Sequence, residues 1–189
     1  MCGLTDTMRP QDRTPLDVAV AELAESQFGV VSLAQLRGLG LGDRGVRHRV
    51  RAGRLRRLHR GVYAVGHGML RPEGRRLAAV LACGEGAVLS HVSAAAHWDL
   101  LESAAARVDV TAPVTRAGMP GIRLHRSRSL DARDTTKHEG IPITKVPRTL
   151  LDLEPSLASR PTLVGRSPHL VYRRLGQGHE PGIHVVAWG

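Results

Sequence analysis

The stretch "RGVRHRVRAGRLRRLHRGVYAVG", from Arg44 to Gly66, decides the fold expected for this chain. It contains eight arginines, two histidines and no acidic residue. Like charges at helical spacing repel one another and lower the stability of a helix. Two explanations are open at this point: a partner neutralises the arginines, or they form a fully solvated surface.

The first half of this stretch is predicted to be an amphipathic helix. At about 100° per residue, Val46 and Val50 lie on one side and are expected to face the core. The opposite side carries Arg44, Arg47, His48 and Arg51. Arg49 falls near the buried edge, where its aliphatic stem can cover apolar surface. Asp43 is expected to cap the helix at its start, and Gly53 to end it.

Two more helices are predicted upstream of this one. Leu16, Val20 and Leu23 recur at the spacing of one helix face, which ends before Gly29. Ser32 can cap a short second helix, and a glycine-containing turn at 38–40 leads into the arginine-rich helix. This order is that of a helix-turn-helix.

A hairpin is predicted directly after the arginine-rich helix. Leu55, Leu58 and Val62 lie in two strand-like runs, which meet at Arg60-Gly61. A helix-turn-helix followed by a basic hairpin indicates a winged helix-turn-helix domain, which we place at residues 16–68. We expect it to bind double-stranded DNA, since arginine can bond guanine in the major groove and can also contact phosphate.

The predicted DNA contacts divide into three groups. The helix face would read bases, the hairpin would contact phosphates or the minor groove, and the start of the second helix would hold the DNA backbone. The residues expected to bind DNA are Ser32, Gln35, Arg44, Arg47, His48, Arg51, Arg54, Arg56, Arg57 and Arg60.

The composition favours a polyanionic partner. The 189 residues carry a formal net charge of +10, and the sequence pI is about 11.2. No apolar run is long enough to span a membrane, and the N-terminus lacks the apolar core of a signal peptide. Two cysteines make no disulfide framework. We therefore expect a cytoplasmic protein that does not bind membranes.

Residues 70–153 are predicted to form a small α+β domain. Helices are expected to begin at Pro72, after Ser90 and at Pro147, and three strand-like segments lie between the last two. The whole chain is thus predicted to be α+β, with a disordered lead-in at 1–15 and a disordered or aberrant tail at 154–189. Trp98 is expected to anchor the core of this domain, and Cys83 to be buried.

Catalytic and metal-binding constellations are not recognisable in the sequence. His91 and His97 are six residues apart, so they do not share a helix face, and no cysteine or acid lies at ligand spacing. The segment around Ser90 and Ser93 lacks a nucleophile elbow. Asp109 lies in a strand-like run, where it can pair with an arginine. We expect no cofactor, no metal and no catalysis.

Residues 16–153 resemble the AbiEi-like antitoxin family of type IV toxin–antitoxin systems, which act in abortive infection of bacteria. The resemblance rests on "GVVSLAQLRGLGLGDRGVRHRVRAGRLRRLHRGVYAVG" and on "RRLAAVLACGEGAVLSHVSAAAHWDL" with "GIPITKVPRTLLDL". It implies a transcriptional regulator that represses its own operon through the winged helix. It also implies a downstream domain that counters a nucleotidyltransferase-like toxin.

Actinobacterial members of that family often continue into a nuclease-like domain, and this chain departs from that pattern. Glu154 and Glu180 are the only acids after Leu153, whereas such a nuclease needs clustered carboxylates. We expect a truncation or frame shift near Glu154. Three alternatives stay open: a protein-interaction module that binds a toxin, a remnant of an endonuclease-associated protein, and a degraded gene product. A homodimer is also open.

Overall fold

The computed structural model describes residues 14–66, 69–103, 105–113, 119–127 and 130–157, with side chains to 153. The chain divides into two compact units, Met1–Ala82 and Cys83–Gly189. This division lies later than the boundary expected near residue 69. Pro15 and residues 154–157 are helical, although the sequence placed them in the lead-in and the tail. Thr14 of the predicted lead-in is also described, as the N-cap of the helix that begins at Pro15. The rest of the two predicted disordered segments, 1–13 and 158–189, lies outside the described residues.

The first unit has the winged helix-turn-helix architecture predicted from the sequence. Its elements are α1 (Pro15–Ser26), β1 (Val30–Ser32), α2 (Leu33–Gly38), α3 (Asp43–Arg51), β2 (Leu55–His59), β3 (Val62–Val65) and α4 (Pro72–Cys83), whose last residue lies past the division. The three strands form an antiparallel sheet in the order β1-β3-β2. The sequence did not predict β1, in which Val30 pairs with Ala64 of β3.

The helices of the first unit are held on the sheet by an aliphatic core. Val46 is the residue by which α3 joins this core, and it is 3% exposed. The buried cluster consists of Val20, Ala24, Val31, Leu36, Leu41, Val46 and Leu55. Burial of each large aliphatic side chain stabilises the fold by about 1.5–3 kcal/mol. The arginine-rich helix is therefore fixed to the domain through one face.

In its described residues, the second unit is a five-stranded mixed sheet with two α-helices and a short 3-10 helix at Ala132–Asp134. Its elements are β4 (Val88–Leu89), α5 (His91–His97), β5 (Val108–Ala112), β6 (Ile122–Arg126), β7 (Thr135–His138), β8 (Ile141–Thr144) and α6 (Val146–Leu157). The strand order is β6-β5-β4-β8-β7, with β4 parallel to β8 and β5 parallel to β6. The α+β class is confirmed, and a turn at Glu139-Gly140 joins β7 to β8. The two-residue strand β4 was not predicted.

Trp98 follows α5 and ties this helix to the sheet. Its indole Nε1 donates to the Thr144 carbonyl at 2.9 Å, and its ring stacks on His138 with the ring centres 4.2 Å apart. It is only half-buried, so the predicted anchor lies at the edge of the core. Cys83 is buried, as expected. Among the described residues, no helix is both long and apolar enough to cross a membrane.

Candidate nucleic-acid interface

The start of α3 differs from the expected cap. Gly42, not Asp43, is the N-cap residue, and Asp43 is the first residue of the helix. The Asp43 carboxylate instead accepts from Arg37 Nη2 at 2.8 and 3.0 Å and from Arg37 Nε at 3.0 Å. A negative charge in the first turn of a helix is stabilised by the helix dipole. The ion pair therefore links α2 to α3 across the turn.

The charged and apolar side chains of α3 lie on the sides that the helical wheel predicted, with one exception. Arg44, Arg47, His48 and Arg51 are all exposed, whereas Val46 is buried. Val50 was expected to face the core but is 37% exposed. The prediction failed because the apolar core under α3 ends at Val46, so the next turn of the helix projects toward the hairpin.

Arg49 forms an ion pair that the sequence analysis missed. Its Nη2 and Nε donate to Asp17 Oδ1 of α1 at 2.7 and 3.1 Å. The two side chains are 14% and 19% exposed, respectively. Burial raises the pKa of Asp17, but hydrogen bonds from Arg49 and Thr14 and the Arg49 charge outweigh it, so the pKa lies below its usual value. Arg49 therefore orients α3 rather than facing a ligand.

The hairpin presents its arginines on an edge strand. Arg56 and Arg57 of β2 are both exposed, and the pairing with β3 shifts between Arg57 and His59, which makes Leu58 an extra residue. Such a bulge bends and twists a strand. His59 is half-buried, and burial lowers its pKa. The tip is Arg60-Gly61, as predicted, with Arg60 exposed.

Helix α3 and the hairpin enclose two surface depressions. The smaller, of about 210 Å³, is lined by Val46, Arg47, Val50, Arg51, Arg57 and Tyr63. The larger, of about 350 Å³, is lined by Val50, Gly53, Leu55, Arg56, Arg57 and Gly66. Val50 and Arg57 line both, so the depressions form one continuous surface, here called the basic groove. Cationic side chains from two elements converge there, which suits a polyanion.

Ser32 and Gln35, expected to contact the DNA backbone, bond to each other. Ser32 N donates to Gln35 Oε1 at 2.8 Å, and Gln35 N donates to Ser32 Oγ at 3.2 Å. Gln35 Nε2 also donates to Gln27 Oε1 at 3.0 Å. This capping box confirms Ser32 as the N-cap of α2. A phosphate contact by either side chain stays a prediction and competes with these bonds.

The remaining predicted arginines lie outside the basic groove. Arg44 lies in the first turn of α3, Arg54 lies between α3 and β2, and Arg60 lies at the hairpin tip. All three are exposed. The Arg54 backbone N donates to the Arg49 carbonyl at 2.9 Å, which fixes the connection between helix and hairpin. These three cations add to the exposed positive charge of the first unit.

The second unit contains a buried polar cluster that sequence reasoning did not assemble. Asp109 is 2% exposed, and its Oδ1 lies 3.0 Å from His125 Nε2 and 3.5 Å from Arg123 Nη1. Its backbone N donates to Ser93 Oγ at 2.8 Å. The predicted pairing of Asp109 with an arginine is confirmed. The sequence indicated this pairing through an acid between two valines of a strand-like run. The residues that bind Asp109 lie on other elements, so the sequence did not identify them.

His91 completes this cluster by stacking on His125, with ring centres 3.6 Å apart. Burial lowers the pKa of His91, as does the nearby charge of His125, while Asp152 and Asp109 act in the opposite direction. Asp152 is in turn bonded to Arg148 Nε at 2.9 Å. Among the side chains that the structure describes, no group of three histidine, cysteine or acidic residues could hold a metal ion.

Comparison with known proteins agrees with the resemblance expected for the first unit. Residues 18–66, from α1 to just past β3, match a family model described as "Transcriptional regulator, AbiEi antitoxin". The resemblance is thereby confirmed for this segment. The comparison with curated proteins found no match. Among solved structures, the chain is similar to the RV2827C protein from Mycobacterium tuberculosis, with 24% identity and a TM-score of 0.36. The match covers 58% of this chain and 43% of that protein.

Proposed function

We propose that this chain is a transcriptional regulator of the AbiEi antitoxin type, which binds double-stranded DNA through the basic groove and represses its own promoter. The family match over residues 18–66 supports a regulator. The observation that carries the DNA-binding proposal is the way in which the arginines of the first unit divide into two sets.

One set of arginines is paired with acidic side chains of the chain itself. Arg37 is bound to Asp43, and Arg49 is bound to Asp17. The other set includes Arg47, Arg51 and Arg57, which make no hydrogen bond or ion pair with any part of the chain that the structure describes, yet line one groove. Placing three like charges together without counter-charges is unfavourable unless a ligand supplies them.

In the proposed complex, the two sides of the groove have different roles. A recognition helix enters the major groove, where Arg47 and Arg51 can bond guanine O6 and N7. Arg56 and Arg57, on the hairpin, would contact flanking phosphates, which provide affinity rather than sequence information. Arg44, His48, Arg54 and Arg60 extend the contact along the DNA backbone.

Repression in this proposal is steric and needs neither catalysis nor a cofactor. The protein would occupy its promoter in the cytoplasm and prevent polymerase from binding. One winged helix reads a short site, and a pair on repeated half-sites gives a longer one. We therefore also propose binding as a homodimer.

The second unit is the proposed site for a protein partner, a nucleotidyltransferase-like toxin. The edge strand β6 supports this, because Arg126 is exposed on it and Arg123, paired with Asp109, still exposes 57% of its side chain. Co-purification with the product of a neighbouring gene would support this part of the proposal. Operator binding without any such complex would support the proposed regulator and contradict the proposed toxin partner.

A reporter experiment tests self-repression. The upstream region of the gene is fused to a reporter in a host lacking the gene, and the full chain is supplied in trans. We expect the wild type to reduce expression several-fold and the double variant Arg47→Ala/Arg51→Ala to lose this effect. Arg133→Ala is the matched control, because Arg133 is an exposed arginine of the second unit, outside the groove. Unchanged expression with the wild type would refute self-repression.

A further inference from the structure

Val50 is an apolar side chain at the centre of the basic groove. It is 37% exposed, whereas Val46, one turn earlier on the same face of α3, is 3% exposed. It lines both surface depressions, with Arg47 and Arg51 beside it on the helix and Arg57 opposite on the hairpin. A single exposed aliphatic residue is ordinary on a protein surface. Its position among arginines that face a proposed DNA ligand is what calls for an explanation.

The chemistry of the major groove provides a partner for such a side chain. Thymine differs from the other bases by its 5-methyl group, which apolar side chains contact. The valine methyl groups cannot bond phosphate or a base edge, so their contribution must come from apolar contact. The surrounding cations favour DNA as the occupant of this surface over an apolar protein face.

We propose that Val50 is a specificity-determining residue, which contacts the 5-methyl group of a thymine adjacent to the base read by Arg47 or Arg51. This inference rests on the proposed function and deepens it. The valine and the arginines lie on one helix at separations of three residues and one residue. A helix lying in the groove would therefore present them to neighbouring base pairs.

The test begins with selection of binding sites from a random duplex library by the full-length wild-type chain. Each thymine of the enriched site is then replaced, one at a time, by deoxyuridine, which lacks only the methyl group. We expect one position at which the replacement weakens wild-type binding about three- to fivefold, the value of one buried methyl group. For Val50→Ala, binding to the thymine site should be weaker, and the replacement should have no further effect.

The matched control is Val18→Ala, because Val18 is 41% exposed on α1, outside the basic groove. This variant should retain the full sensitivity to deoxyuridine. Equal sensitivity of the wild type and Val50→Ala at every thymine would overturn the inference and leave the proposed function intact. So would a change of oligomeric state in Val50→Ala, measured by light scattering, because Val50 would then pack against a second copy. Failure to enrich any sequence would overturn both proposals.

Discussion

Arg49 of α3 holds Asp17 of α1 through two donors to one carboxylate oxygen, at 2.7 and 3.1 Å. The two residues are 32 positions apart, and the bond connects the first helix to the helix that faces the basic groove. Asp17 also accepts from Thr14 Oγ1 at 2.8 Å, so the carboxylate is itself held in place. This contact fixes the direction in which α3 presents its other arginines.

Removal of this ion pair should destabilise the first unit. We expect Asp17→Ala to lower the free energy of unfolding by about 1.5–3 kcal/mol, the usual value of a hydrogen bond to a charged group. A double-mutant cycle with Arg49→Ala, measured by urea unfolding, isolates the coupling. Because the pKa of Asp17 is lowered in the fold, this contribution is present above the ordinary aspartate pKa and is lost as the pH falls through the lowered value.

The control for this cycle is Asp43→Ala, which breaks the exposed Arg37–Asp43 pair. Its side chains are 56% and 55% exposed, so we expect a loss of less than about 1 kcal/mol. If the coupling free energy between Asp17 and Arg49 is no larger than that of the exposed pair, the role of Arg49 in orienting α3 is contradicted.

Arginines of the helix and of the hairpin should differ in their effect on specificity. Arg47→Ala and Arg51→Ala should each weaken binding to the cognate site by about 1–3 kcal/mol and change random DNA much less. Arg56→Ala and Arg57→Ala should weaken cognate and random DNA alike, because phosphates are the same in both. Anisotropy titrations on the two DNAs measure the ratio of the affinity for the cognate site to the affinity for random DNA. Equal losses on both DNAs for all four variants would show that the helix does not read bases.

His91 should make the stability of the second unit depend on pH. Its pKa in the fold is lowered by burial and by the charge of His125, so the unfolded chain binds more protons near pH 6. Stability should therefore be greatest above pH 6.5, the ordinary value, and fall toward pH 5. His91→Asn should reduce this dependence in urea unfolding at pH 5, 6 and 7. Asparagine is chosen because it tolerates a positive φ, and φ is 49° at His91.

The matched control is His48→Asn, at an exposed position of α3. This variant should keep the pH dependence of the wild type. Unfolding of the first unit should keep its own pH dependence in His91→Asn, because burial lowers the pKa of His59 in β2. An identical pH profile for wild type and His91→Asn would exclude the stacked pair as its source.

Gly61 at the hairpin tip should resist substitution. Its φ is +75°, and its carbonyl accepts from Leu33 N at 2.7 Å. An added Cβ would meet Leu33 Cβ at 3.8 Å, so Gly61→Ala has room and suffers only from backbone strain. We expect a loss of about 1 kcal/mol in urea unfolding. Gly38→Ala, at a helical position with nothing within 4 Å, should be neutral or stabilising. A neutral Gly61→Ala would contradict this account of the turn.

Local patterns were enough to predict most of the first unit. The periodicity of Leu16, Val20 and Leu23, the cap at Ser32 and the tip at Arg60-Gly61 each depend on neighbours within a few residues. Strands β1 and β4 were missed because they have three and two residues, respectively, and depend on distant partners. Such short runs carry no period that distinguishes a strand from a loop.

The positive charge of the candidate site could be predicted from the sequence, but the contacts among its residues could not. A helical wheel sorts Arg47 and Arg51 away from Val46, but it contains no information on where the core ends, so Val50 was misplaced. The partners Asp17 and Arg49, and likewise Asp109 and His125, meet only through tertiary packing. Sequence spacing therefore identified the cationic face but could not separate the structural arginines from those that face a ligand.

The most direct test of the central claim is fluorescence anisotropy of the full chain with its own upstream DNA and with shuffled DNA of equal length. Both titrations are made at 50 and 200 mM salt. We predict a preference for upstream DNA that persists at 200 mM salt. Absolute affinity should fall by roughly 10³-fold between the two salt concentrations if about six phosphates are contacted. Equal binding of the two DNAs at both salt concentrations would contradict sequence recognition by the basic groove.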